Sequence, residues 1–397
     1  MLGVSERLAS LSPSATFAMA QKSNELKAQG VDVISLSVGE PDFNTPDHIK
    51  EAAKKAIDDN FSFYSPVVGY LELRKAIVEK LKNENGLTYT PAQIVCSNGA
   101  KQSLCNVLMA VVGQGDEVLI PAPFWVSYPE MVKIADATPV IIYSDIESDF
   151  KITPAQLEAA ITPKTKVLML CSPSNPTGSV YTYDEMKGLA DVLAKHPDII
   201  ILSDEIYEHI NYLDKHVSIA EFPEVFERTV IVNGVSKGYA MTGWRLGWIA
   251  APKWIADACS TLQGQSTSNP STIAQKAAEA AYTGDQQCVK DMRVAFERRK
   301  NLVVKMAREI PGLHLNEPTG AFYLFPDCSA YFGKSYHETT INNPEDLALF
   351  LLAEAHVACV GGTDFGAPNC IRMSYATSDE KLVEAFTRIK NALAKLS

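Results

Sequence analysis

The stretch Ser236-Lys237-Gly238-Tyr239-Ala240-Met241-Thr242-Gly243-Trp244-Arg245-Leu246-Gly247-Trp248 sets one lysine and one arginine among glycines, just past the Val/Ile-rich run Thr229–Asn233. Glycines let backbone and ligand approach closely. A lysine partly withdrawn from water there carries a share of neutral amine, the form that condenses with a carbonyl to an imine. Arg245 adds a planar, permanently charged fork suited to a phosphate. A lone loop lysine is usually solvated surface, so the reading depends on what else stands nearby.

Three further segments sit where strand-like runs end. Asn175-Pro176-Thr177-Gly178 follows Lys166–Cys171, and Asp204-Glu205-Ile206-Tyr207 follows Ile199–Ser203. Ser97-Asn98-Gly99-Ala100-Lys101-Gln102 follows Ile94–Cys96. Singly, N-P-T-G is most often a turn, and an aspartate after a strand is most often a helix cap. Their common position changes that, because ligands of open α/β sheets bind outside the carboxyl ends of the strands. Small residues opening a helix also present free N–H groups to a phosphate.

The elements that must carry these residues are short apolar runs: Ile94–Cys96, Glu117–Ile120, Pro139–Tyr143, Lys166–Cys171, Ile199–Ser203 and Thr229–Asn233. Too short for buried helices and rich in Val and Ile, they predict buried strands of a mostly parallel sheet. Helical patterns over Lys101–Val112, Thr153–Ala160 and Tyr183–Ala194 alternate with them, which predicts an α/β fold with helices on both faces. From about Gln286 the pattern changes to a long charged helix (Val289–Glu309), the Pro311-Gly312 turn, strand-like Ala321–Phe325, helix Pro344–Ala355 and strand Cys370–Tyr375. That predicts a smaller α+β domain at the end of the chain.

A chain of 397 residues exceeds what one core usually serves, so at least two domains are expected. The formal charge of −11 argues against nucleic acid or anionic membrane as a partner. Residues 1–27 lack the unbroken apolar core of a signal peptide, and no run is long enough to span a bilayer. Eight scattered cysteines without a C-x-x-C pair read as free thiols of a reducing, cytoplasmic compartment. Seven dispersed histidines without H-E-x-x-H give no support to a metal site.

Together these segments resemble the class I aminotransferases of pyridoxal 5′-phosphate (PLP) fold type I, and within them the bacterial aspartate aminotransferase subgroup. The resemblance runs through Pro13-Ser14-Ala15-Thr16, Gly39-Glu40-Pro41-Asp42-Phe43, Pro123-Phe124-Trp125-Val126-Ser127-Tyr128-Pro129, Asn175–Gly178, Ser203–Glu208, Ser236–Trp248 and Arg372-Met373-Ser374-Tyr375-Ala376. It spans essentially the whole chain, in family order. It implies an α/β large domain over 46–285, with a mostly parallel seven-stranded sheet flanked by helices. A smaller α+β domain would be formed by 1–45 and 286–397, and the enzyme would be a homodimer with shared active sites.

For PLP, the resemblance implies that Lys237 holds the cofactor as an imine and then moves the α-proton. Asp204 would keep the pyridine nitrogen protonated. Tyr207 and Asn175 would bond the phenolic oxygen, and Trp125 would stack on the ring. Gly99, Ala100, Lys101, Ser236 and Arg245 would form the phosphate cradle, with Tyr64 reaching it from the partner subunit. Arg372 would bind the substrate α-carboxylate, helped by Asn175, Trp125 and the Gly39 backbone. Thr16 and Lys101 resemble residues that the bacterial subgroup uses for a distal carboxylate. The expected pair is therefore L-aspartate and 2-oxoglutarate, giving oxaloacetate and L-glutamate by a ping-pong course, with prephenate, made into arogenate, as the alternative acceptor.

Rival readings come from other classes. Gly234-Val235-Ser236-Lys237-Gly238 matches the G-x-S-x-G nucleophile elbow, with His314 and His356 as the later histidines a hydrolase could enlist. Neither stands in a partner motif, and an elbow leaves Asp204, Asn175 and Arg372 without a role. A regulator that uses such a domain as a sensor would need a DNA-binding segment before Pro13, for which little chain is expected. A PLP lyase or decarboxylase would share the same residues.

Overall fold

The computed structural model describes residues 3–397; residues 1 and 2 of the expected 1–45 segment lie outside them. Each of the six apolar runs is a strand, and a seventh joins them: β1 (Ile94–Ser97), β2 (Glu117–Ala122), β3 (Thr138–Tyr143), β4 (Thr165–Cys171), β5 (Ile200–Asp204), β6 (Thr229–Gly234) and β7 (Gly247–Ala250). Their order in the sheet is β1-β7-β6-β5-β4-β2-β3. β7 runs antiparallel to both neighbours, and every other pair is parallel. This matches the expected α/β sheet of seven mostly parallel strands.

Successive side chains explain why both faces are apolar. Val118 and Ile120 of β2 and Val167 and Met169 of β4 meet Leu104, Val107, Met131 and Val132 of the helices Ala100–Val111 and Ser127–Ile134. Leu119, Leu168 and Leu170 point the other way, onto Leu157, Met186 and Leu189 of the helices Pro154–Ala160 and Tyr183–Leu193. A strand covered on both faces shows no polar alternation, which is why these runs are continuous. Helix starts are set locally: the Thr153 and Thr182 hydroxyls accept from the amides of Gln156 and Glu185, which bond back to the cap.

A second core joins Met19, Val33 and Leu36 to Phe296, Val303, Phe322, Phe325, Leu347, Leu351 and Phe386. It encloses a three-stranded antiparallel sheet of Val360–Gly361, Ile371–Ser374 and Tyr323–Leu324. Ile34–Ser35 pairs in parallel with Val357–Ala358, bringing the amino-terminal segment onto the carboxyl-terminal one. The strand expected over Ala321–Phe325 shortens to Tyr323–Leu324, because Ala321 takes a left-handed φ of 54° that no ladder accommodates. Among the described residues no helix is long and apolar enough to cross a membrane.

Candidate active site

The carboxyl ends of β4, β5 and β6 open on a cavity of about 490 Å³, closed on the far side by residues of the second core. Of the residues singled out above, Thr16, Gly39, Ala100, Lys101, Trp125, Asn175, Asp204, Tyr207, Ser236, Lys237, Arg245 and Arg372 line it. Tyr64 does not: it is 91 % exposed, away from the cavity of its own chain.

Lys237 stands three residues past β6, and its Nζ donates to the Gly39 carbonyl at 2.5 Å. Burial pushes the amine down to about 8, with Arg372 and Arg245 adding to the effect against Glu40 and Asp204. A sizeable fraction is therefore neutral near pH 8. Gly39 is required at its position, since a Cβ there would overlap the Tyr323 hydroxyl.

Asp204 ends β5 and is 4 % exposed. Burial raises its carboxyl to about 6, opposed by the Tyr128 hydroxyl, which donates to Oδ2 at 2.7 Å, and by the Ile206 amide at 3.2 Å from Oδ1. Tyr207 shares a 2.7 Å hydrogen bond with the Tyr323 hydroxyl, and both rings are buried. Tyr128 and Tyr323 are members of the site that sequence reasoning missed.

At the opposite end, Gly99 (φ 84°) precedes the helix Ala100–Val111, whose first amides are free of helical partners. A Cβ on Gly99 would strike the Arg245 guanidinium, and one on Gly247 would strike the Ala100 backbone. The two glycines thus let β7 and Arg245 close onto the helix start. With Ser236 nearby, this makes an anion cradle with both backbone donors and a cation.

Arg372, on Ile371–Ser374, is 2 % exposed. Its Nη1 donates to Asn175 Oδ1 at 3.0 Å and its Nη2 to the Ser37 carbonyl at 2.7 Å, with Thr16 Oγ1 at 3.5 Å. The guanidinium lies 4.8 Å from the Tyr323 and Phe365 ring centres, and its Nε has no partner. No carboxylate pairs with Arg372, Lys101 or Arg245 among the described residues. Lys101 Nζ sits 4.7 Å over the Trp125 ring, and burial, then Arg245, lowers its pKa. Three cations without acids around one cavity call for a ligand bearing several negative charges.

Behind the strand ends lies a charged network that also escaped the sequence. Lys80 pairs with Glu208, whose carboxylate also accepts from Asn233 (2.7 Å) and Asn85 (3.1 Å). Asn233 is on β6 and Glu208 follows Tyr207, so the network ties the Asp204 segment to the Lys237 segment. Burial works to raise the Glu208 carboxyl, but Lys80, His209 and His216 outweigh it and hold it at about 2. Glu208→Gln should therefore cost about 3 kcal/mol by leaving the buried Lys80 ammonium only the more distant Glu84 carboxylate, at 3.6 Å, and the Asn85 amide oxygen, read as a lower urea midpoint at neutral pH. The wild-type contribution is complete above the ordinary glutamate range and fades as pH falls toward 2. A midpoint equal to wild type would mean the pair contributes nothing.

The serine-hydrolase reading fails on geometry. Among the described residues no histidine lines the cavity, neither His314 nor His356, so Ser236 has no imidazole base there.

Comparison with known proteins agrees with this geometry. The family described as aminotransferase class I and II matches residues 31–389. A protein of Cereibacter sphaeroides named aspartate/prephenate aminotransferase is 50% identical over 400 residues, covering 100% of each chain. The crystal structure of the aspartate aminotransferase from Rhizobium meliloti superposes with a TM-score of 0.96 at 42% identity, covering 100% of both chains. That of Thermus thermophilus aspartate aminotransferase with maleate gives a TM-score of 0.93 at 41% identity, covering 99% of this chain and 100% of that one.

Proposed function

Because the chain belongs to the class I and II aminotransferase family, we propose that its site moves the amino group of L-aspartate to 2-oxoglutarate, in two half-reactions. The observation that carries the substrate is the pair Arg372 and Lys101, two cations on one cavity with no acid partner. A dicarboxylate supplies one charge to each. Arg372 offers a fork to the α-carboxylate, with the unpartnered Nε still to be used. Lys101, a point charge on a flexible stem, meets the distal carboxylate. Maleate, the dicarboxylate in the Thermus thermophilus structure, is consistent with this.

Aminotransferases of this class use PLP, and the residues present fit it. The cradle of Gly99, Ala100, Ser236 and Arg245 suits its phosphate, and the buried Asp204 suits its ring nitrogen. Trp125 suits the ring face, Asn175 and Tyr207 its phenolic oxygen, and Lys237 the carbonyl carbon. When bound, PLP supplies the electron sink that acidifies the substrate α-proton. The chain does the rest. Arg372 and Asn175 would orient the amino acid, Asp204 would hold a proton on the ring nitrogen, and Lys237 Nζ, neutral in part near pH 8, would take the substrate α-proton.

We place the large domain at 46–285 and the small one at 1–45 with 286–397. Tyr64, beside the exposed Phe63, would serve the cradle of a partner subunit in a homodimer. Eight free cysteines suit a reducing, cytoplasmic compartment.

The test is a half-reaction screen of the purified enzyme. L-aspartate should change the cofactor absorbance and 2-oxoglutarate should restore it; aspartate without effect overturns the reading. A second substrate, prephenate, fits the same Lys101 through its ring carboxylate, and the Cereibacter sphaeroides relative carries both names. Lys101→Met should raise KM for aspartate by about 10- to 100-fold, the worth of a charge pair of about 1.4–2.8 kcal/mol, and leave an aromatic amino acid nearly unaffected. Equal effects on both would remove Lys101 from the distal site.

A further inference from the structure

Asp204 is gripped from a direction that none of its neighbours in sequence supplies. Tyr128, the second residue of the helix Ser127–Ile134, is 2 % exposed, and its Oη donates to Asp204 Oδ2 at 2.7 Å. Oδ1 takes only the Ile206 amide, at 3.2 Å. The Tyr128 ring stands edge-on to Trp125, with centres 5.6 Å apart and planes at 88°. One side chain therefore touches both the acid at the end of β5 and the aromatic wall of the cavity.

The titratable groups facing Asp204 come from four elements. Tyr128 comes from its helix, Cys171 from the position paired in register on β4, Glu205 from the adjoining residue, and Lys237 from the loop after β6. Cys171 is a neutral thiol, pushed up to about 12 by burial. Glu205 turns away, accepting from Ser203, Ser218 and His216. Among the groups that favour the ionised carboxylate, the Tyr128 hydroxyl comes first and Lys237 last. Burial, then the Asp204 charge, keeps that hydroxyl protonated by raising it well above the ordinary tyrosine range, so it donates throughout the working pH range.

We propose that Tyr128 is a positioning residue for transamination: its hydroxyl aims the Asp204 carboxylate at the ring nitrogen and keeps it charged, while its ring sets the Trp125 wall. The proposal rests on the reading that Asp204 meets the ring nitrogen. It adds a residue to the site without altering the reaction.

The test uses Tyr128→Phe, which deletes the hydroxyl and keeps the ring. In the apoprotein with carbon-13-labelled aspartate carboxyls, the Asp204 signal is assigned by its loss in Asp204→Asn. Its titration midpoint should rise by about one unit in Tyr128→Phe, the effect of losing one donor to a buried carboxylate. PLP should then bind more weakly than to wild type, with the deficit larger at pH 6 than at pH 8, because more of the carboxyl is protonated at the lower pH. An unchanged midpoint overturns the proposal. If the variant does not fold, 3-fluorotyrosine incorporated at position 128, a stronger acid and donor, should move the midpoint down, and no movement overturns it equally. Asp204→Asn separates the two ideas. A holoenzyme of that variant that transaminates at the wild-type rate removes Asp204 from the mechanism. An inactive Asp204→Asn beside an unmoved Tyr128→Phe midpoint removes Tyr128 alone.

Discussion

Lys237→Ala should lower kcat for transamination of aspartate by at least about 10,000-fold, because on the proposed reading one amine would serve both as covalent holder and as proton carrier. The Lys237 amine is depressed to about 8 by burial, and its Nζ sits at the cavity wall against the Gly39 carbonyl. The other lysine of the cavity, Lys101, is held over the Trp125 ring instead. Asp204 is an acid committed to Tyr128, the Arg372 fork is engaged by Asn175 and Ser37, and among the described residues no histidine lines the cavity. Stopped-flow absorbance with aspartate reads the loss directly. A drop of less than about 100-fold, the low end for a single general base, would mean that another group moves the proton.

The second large effect is at Arg372. Replacement by Met keeps the length that packs between Tyr323 and Phe365 and removes the charge. The loss of a desolvated fork should cost roughly 2–5 kcal/mol of transition-state binding, about 30- to 4000-fold in kcat/KM for every amino acid regardless of side chain. Stability should move little. Relief of a buried cation without an acid partner offsets Asn175 and Ser37 left without a donor, to within about 1 kcal/mol. Steady-state kinetics and a urea melt, run on the same preparation, decide the matter. A protein that unfolds readily but, when folded, turns over normally would make the fork structural.

The parts of the fold legible in the sequence were those written in consecutive residues. Val118 to Ile120 or Val230 to Val232 announce a strand covered on both faces, because each side chain meets a helix on its own side. β7 did not announce itself: Gly247-Trp248-Ile249-Ala250 is four residues long and its first two residues close the arginine motif, so its Gly reads as loop. Gly99, Lys101, Asp204, Lys237 and Arg245 were legible through short motifs at strand ends, whereas Arg372, Thr16 and Gly39 were reached only through the family resemblance. Tyr128 and Tyr323 were not, because their partners lie 76 and 116 residues away and an isolated tyrosine reads as ordinary core. The Lys80–Glu208 pair, 128 residues apart, hid for the same reason. Thr16 was expected beside the distal carboxylate, and its hydroxyl in the structure also lies against the Arg372 fork.

β1 is an edge strand whose single neighbour in the sheet is β7. Arg245 leans on the Asn98 carbonyl across 147 residues of chain, and Arg372 meets the Ser37 carbonyl across 335. During synthesis, then, the residues after β1 emerge long before anything that can close over them. Arg245 can close onto the helix start only once the chain has passed Ala250, and Arg372 can meet Asn175 and Ser37 only near its end. Contacts of such sequence separation are slow to form, and chains of this size fold in stages. In chain order, therefore, the contact that holds Arg245 becomes possible before those that hold Arg372.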